Sequence, residues 1–235
     1  MYHSITFGDK NTWDDWHLVP SSRPVIAPPD VKSKTVDIPG ADGELNLTEL
    51  LNGRPTYQNR TGSIEFIVVN DYWDWDVAYS TIMNYLQGKS MKMVLEDDPA
   101  YYYEGRFAVS EWRSDKSWSL ITIDYNVYPY KKDLSATDED WLWDSFDFET
   151  QIIQNGMKNL TVDGALTVTV EGSPQPVAPV ITVSAPMTLS FNGIEKSMDK
   201  AGDYKYGDIL FREGTNKITF RGNGNVTISY RGGRL

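Results

Sequence analysis

The chain has 235 residues, 40% of them hydrophobic and 13% aromatic, enough to bury a core as one large domain or two modest ones. A formal net charge of -11 and a pI of about 4.6 leave no electrostatic reason to hold a phosphate backbone, which argues against nucleic acid as a partner. The chain has no cysteine, so disulfide frameworks, thiolate metal sites and cysteine nucleophiles fall away together, as suits a chain folded in a reducing cytoplasm.

The start, Met1-Tyr2-His3-Ser4-Ile5-Thr6-Phe7, lacks a basic region followed by an apolar one, and no apolar run reaches the length of a membrane span. The sequence therefore predicts neither secretion nor membrane insertion. Up to about residue 60 the chain reads as loop-rich, with Pro20, Pro24, Pro28, Pro29, Pro39 and Pro55 interrupting regular structure. Inside that region, β-like stretches at 31–38 and 44–51 flank the turn Gly40-Ala41-Asp42-Gly43 and predict a hairpin. Next comes a strand, Ile64-Glu65-Phe66-Ile67-Val68-Val69. A helix follows, capped by Asp71 or Asp74, with Trp75, Ala78, Ile82 and Leu86 on one face and a stop at Gly88. Phe107, Val109 and Glu111 mark a further strand. Ile121, Ile123, Tyr125 and Val127 alternate with polar residues and mark another with one buried face.

Composition changes sharply along the chain. The eight tryptophans end at Trp143, and the rest is built from Val, Ile, Leu, Thr and Gly. The shift predicts two domains, 1–132 and 151–235, joined by a linker at 133–150 that contains Asp138-Glu139-Asp140. The second domain reads as all-β. Its apolar alternation runs through Leu166, Val168 and Val170, then Ile181 and Val183, then Met187, Leu189 and Phe191. Ile209 and Phe211, Ile218 and Phe220, and finally Val226, Ile228 and Tyr230 continue it. Turn signals at Asn192-Gly193, Gly207-Asp208, Gly214-Thr215-Asn216 and Gly222-Asn223-Gly224-Asn225 separate these stretches and predict a β-sandwich.

No motif for chemistry is legible. The two histidines, His3 and His17, both lie near the N-terminus, and no Gly-x-Ser-x-Gly elbow presents a nucleophile. Two histidines without cysteines leave too few ligands for a zinc site. The acidic clusters Asp14-Asp15, Asp71-x-x-Asp74-x-Asp76, Glu96-Asp97-Asp98 and Asp138-Glu139-Asp140 lack the ligand spacing of a calcium loop, and caps and turns explain them. The Gly222–225 stretch has no following helix to aim amides at a phosphate, and a hairpin turn accounts for it. No catalysis and no cofactor are expected. Trp13, Trp16 and Tyr101-Tyr102-Tyr103 fit either core packing or an interface hot spot.

The order of several blocks is informative. Asn11-Thr12-Trp13-Asp14-Asp15-Trp16-His17-Leu18-Val19-Pro20 with Arg23-Pro24 is followed by Ile38-Pro39-Gly40-Ala41-Asp42-Gly43-Glu44-Leu45-Asn46-Leu47-Thr48 and Tyr57-Gln58-Asn59-Arg60. Asp97-Asp98-Pro99-Ala100-Tyr101-Tyr102-Tyr103-Glu104-Gly105-Arg106 and the ending Tyr230-Arg231-Gly232-Gly233-Arg234-Leu235 complete the series. Over most of its length the chain thus resembles the siphophage distal tail protein (Dit) family of Gram-positive phages and prophages.

That resemblance implies a mainly β fold with an N-terminal ring-forming domain and a C-terminal galectin-like β-sandwich. It implies a homo-hexamer at the distal end of the virion tail. Its partners would be the major tail (tube) protein, the tail-associated protein and, in some relatives, a receptor-binding protein. The 31–51 hairpin is then expected to project as an arm towards a neighbouring subunit, the alternative being an edge hairpin on its own domain. The candidate assembly interface comprises Trp13, Trp16, Val31, Val36, Ile38, Leu45, Leu47, Tyr57, Arg60, Tyr101, Tyr102 and Tyr103. Two other functions compete: a carbohydrate-binding module, which would need exposed aromatics in the second domain, and a wall-degrading hydrolase, which would need an acid pair or a metal.

Overall fold

The computed structural model describes residues 2–69, 75–114, 119–137 and 157–235. The fold is mainly β, with one helix among the described residues, and it divides into two compact units. The first unit is Met1–Asp98 with Tyr102–Lys131 and Leu235; the second is Pro99–Tyr101 with Lys132–Arg234.

In the first unit the elements are β1 (Ile5–Phe7), β2 (Lys10–Asn11), β3 (Leu18–Pro20), β4 (Thr35–Asp37), β5 (Glu44–Asn46), β6 (Arg60–Val68), α1 (Trp75–Leu86), β7 (Ser90–Leu95), β8 (Tyr101–Ser114) and β9 (Ser119–Val127). The first residue of β8, Tyr101, belongs to the second unit. The main sheet is ordered β2-β1-β7-β8-β9-β6-β3, while β4 and β5 form a separate two-stranded sheet. Period-two alternation sends Ile64, Phe66, Ile121, Ile123 and Val127 into one core together with Phe7, Leu18 and Phe107. Each such side chain contributes roughly 1.5–3 kcal/mol by leaving water.

Helix α1 supplies Ile82 and Leu86 to the same core, in the periodicity the sequence predicts. Trp75 is half-buried and meets Trp112 edge-on, with ring centroids 5.8 Å apart. The expected caps Asp71 and Asp74 lie outside the described residues. The predicted stop holds: Gly88 takes φ +66° and its N–H donates to Phe107 O at 2.9 Å.

The second unit contains most of β10 (Lys131–Asp133), then β11 (Leu160–Gly172), β12 (Val180–Val183), β13 (Met187–Phe191), β14 (Ile194–Met198), β15 (Gly202–Lys205), β16 (Gly214–Ser229) and β17 (Gly233–Arg234). Strand β16 is its spine. It pairs with β11 along one side, and along the other with β13 and then β12. All four strands send side chains into one core, so the sheet curls into a β-sandwich around Leu189, Phe191, Phe220, Val226 and Ile228.

Two expectations fail here. Ile218-x-Phe220 and Val226-x-Ile228 are one continuous strand, and Gly222–225 is no hairpin turn. Gly222 and Gly224, both at φ +143°, face inward within it, and a Cβ on Gly222 would stand 2.8 Å from Met187 Cβ. These glycines permit the close approach of the segment 184–187 instead of a reversal. Phe211 makes only an isolated bridge to Val177, while β14 and β15, whose alternation is broken by charged residues, escape the pattern.

Candidate assembly surface

The arm is built from its root outward. Ile26 is buried in the core of the first unit, and Ala27 N–H donates to Tyr125 Oη at 3.1 Å. Tyr125 lies over Gly62, its cross-strand neighbour, where any side chain would collide with the ring. Arg60, only 5% exposed, donates from Nε to Pro129 O at 2.7 Å and from Nη1 to Ala27 O at 3.2 Å. Its guanidinium sits 5.6 Å from the centroid of the Tyr103 ring. Burial pulls the Arg60 pKa below its ordinary value and pushes that of Tyr103 up.

Above this clamp, Val31 bridges Tyr57, Lys32 N–H donates to Thr56 O at 2.8 Å, and Gln58 N–H donates to Asp30 O at 2.8 Å. Tyr57 meets Tyr130 edge-on at 5.9 Å, and Arg54 donates to Tyr130 Oη at 3.2 Å.

Beyond the root the arm is a small amphipathic ribbon. Val36 pairs with Leu45, and Ile38 and Leu47, each just past the end of β4 and β5, continue the period of two, so all four share one face. Val36 is 41% exposed, Ile38 43% and Leu45 49%, while Leu47 is half-buried. The other face carries Thr35, Asp37, Glu44 and Asn46. Val31, Leu50 and Leu51 add further exposed apolar surface. Gly40 and Gly43, at φ +84° and +76°, make the turn the sequence predicts.

The remaining predicted interface residues lie elsewhere. Asn11 Oδ1 accepts from Trp13 N–H at 2.8 Å, and Asp15 accepts from Asn11 N–H at 2.8 Å and from Lys10 at 2.8 Å. The Lys10 ammonium holds the Asp15 carboxyl below the usual range. This capped turn drives Trp16 into the core between Phe7 and Tyr85, 3% exposed. Trp13 stays half-buried and stacks on Tyr2 at 3.9 Å. Tyr102 lies under Lys92 and Tyr103 under Arg60, while Tyr101, in the second unit, lies under Arg234. Trp16, Arg60, Tyr101, Tyr102 and Tyr103 are thus buried, and a partner reaches none of them while the fold stays closed.

A second apolar surface was missed by sequence reasoning. Opposite the core face of the main sheet, Val19 pairs with Ile67 and Ile67 with Leu120, a row across β3, β6 and β9. Ile67 is 39% exposed, and Val69, just beyond, is 53% exposed. The available signal was the unbroken run Phe66-Ile67-Val68-Val69, since a strand apolar at every position has both faces to cover.

The acidic cluster at 96–98 serves structure. Asp97 accepts from His3 at 2.8 Å and from Arg23 at 2.8 Å, Glu96 accepts from Ser4 N–H at 2.7 Å, and Asp98 pairs with Lys131 at 2.6 Å. The His3 hydrogen bond, with Arg23 behind it, holds the Asp97 carboxyl below its ordinary pKa. Among the described residues no group of three or more His, Asp or Glu side chains is placed to hold a metal ion. The cluster at 138–140 lies outside the described residues.

No protein-family model matches the chain, and no curated protein matches it. Its fold is similar to the crystal structure of SPP1 Dit (gp 19.1), described as a paradigm of hub adsorption apparatus in Gram-positive infecting phages. The two share 13% identity with a TM-score of 0.59, over 99% of this chain and 99% of that one. At this identity the likeness establishes a shared fold.

Proposed function

We propose that this chain is a structural, non-enzymatic component of a phage-type virion, a distal tail protein whose work is assembly. The observation that carries this reading is the fold likeness to SPP1 Dit, a hub protein by its description, over the full length of both chains. The uncovered apolar face of the arm supports it, because a face that its own chain leaves in water is suited to cover by another molecule. Acidic residues committed to internal pairs, among them Asp15, Asp97 and Asp98, support a role without catalysis.

On this reading residues 1–132 form a hexameric ring, 133–150 a linker and 151–235 an outer domain. One side of the ring docks the tail tube protein and the other the tail-associated protein, and the outer domain faces receptor-binding protein. The chain folds in the host cytoplasm and works at the distal end of the tail. Electron microscopy of the purified protein tests the proposal. Six-fold rings with a central opening are expected. Single copies at every concentration would contradict it and favour a glycan-binding module, which a glycan array then examines.

A further inference from the structure

The outer strand of a sheet exposes unpaired N–H and C=O groups, and short length, lysine or proline guards such an edge. In the main sheet of the first unit the outer strands are β2, two residues with Lys10, and β3, three residues closed by Pro20. In the second unit β14 and β15 are five and four residues long and carry Lys196 and Lys205. Strand β11 has none of these guards. It runs for 13 residues without lysine, arginine or proline, and β16 is its only strand partner among the described residues.

The open side of β11 is bounded at both ends. Gly164, at φ +73°, bends the strand, and Tyr230 Oη donates to Glu171 O at 2.9 Å. Between them lie Ala165-Leu166-Thr167-Val168-Thr169-Val170, roughly 20 Å of extended backbone at ~3.3 Å per residue. Leu166, Val168 and Val170 turn towards the core, while Ala165, Thr167 and Thr169 are exposed. The Thr167 hydroxyl meets that of Thr219 on β16 at 2.9 Å, so it is engaged away from the open side.

We propose that this stretch of β11 takes up, by strand addition, an extended lysine-bearing segment of another polypeptide. A row of amide and carbonyl groups along an extended strand is matched by a second extended backbone about 4.8 Å away, and not by a helix or a sugar.

Charge selects the occupant. Asp163 and Glu171 are the charged residues of β11, and they flank the open stretch with one sign. Arg221, the cross-strand neighbour of Ala165, pairs with Glu195 at 4.0 Å. The β11 of a second copy would add two more carboxylates and no cation, whereas lysines at the ends of an incoming strand meet opposite charge. Such exposed pairs add little affinity and set register and partner, while the backbone ladder holds the strand. The inference concerns the second unit alone and does not depend on ring formation.

The probe is a synthetic peptide of alternating valine and threonine with lysine at each end, N-methylated at alternate residues so that one edge alone can pair. Amide hydrogen exchange of the intact chain, resolved residue by residue, reads the strand. In the chain alone, alternate amides of 165–170 should exchange fast, because only those facing β16 are bonded. The peptide should slow that fast set about ten-fold or more, a peptide methylated at every amide should not, and one ending in glutamate should protect far less. Slow exchange throughout 165–170 in the chain alone would overturn the proposal, because the edge is then already covered. So would the absence of protection by the lysine peptide at millimolar concentration. Equal protection by the glutamate peptide would overturn the choice of occupant.

Discussion

Two hairpins in this molecule carry apolar residues on one face and meet opposite fates. In the second unit β13 and β14 reverse at Asn192-Gly193, φ +48° and +82°, and Met187, Leu189, Phe191 and Met198 are 5% exposed or less, with Ile194 half-buried. In the first unit β4 and β5 present Val36, Ile38 and Leu45 at 41–49% exposure. A period-two pattern says that one face is apolar, but not what covers it. One ribbon is covered by its own chain, and the other holds its apolar face open at a clamped root. That contrast directs the assembly account to the arm rather than to the tryptophans.

The contrast can be broken at several points. Phe191→Ala strips the covered hairpin and should destabilise the second unit by about 3–5 kcal/mol, read by chemical denaturation. A loss below about 1 kcal/mol would mean that this face is not closed as described. Arg60→Lys keeps the charge at the arm root but loses the planar fork whose separate Nε and Nη1 donate to Pro129 O and Ala27 O. About 1–2 kcal/mol should be lost, with faster proteolysis within 28–57 than in the parent chain.

Asp97→Asn should cost under about 1 kcal/mol at neutral pH, because its partner Arg23 is largely exposed. The folded pKa of Asp97 is depressed, so its contribution is complete above the unfolded value. It is lost as pH falls through the folded one. The difference between parent and variant should therefore fade below about pH 4, and a difference that still grows below that pH would contradict this. A comparably small loss, about 1 kcal/mol or less, is expected for Val36→Asp with Leu45→Asp, since the two residues pair with each other across the ribbon and otherwise face water.

Much of this was legible beforehand. The helix face, the Gly88 stop, the arm turn and the alternation of β6 and β9 follow from local rules that tertiary structure did not override. Misreadings arose where a residue type has two uses. Glycines that signal reversal instead admit the segment 184–187 close to a continuous strand at Gly222 and Gly224. Of the two uses left open for the aromatics, core packing holds at Trp16, while Tyr102 and Tyr103 lie buried under Lys92 and Arg60. Arg60, named with the interface candidates, is buried and ties down the arm root from inside. The Val19–Ile67–Leu120 row was out of reach, because its members meet only through register between strands distant in sequence.

The most direct measurement is the solution mass of the parent chain beside Val36→Asp with Leu45→Asp, by light scattering. The account predicts about six times the 26.7 kDa chain mass for the parent and a single chain for the variant. Equal masses for the two, whether six copies or one, would contradict it.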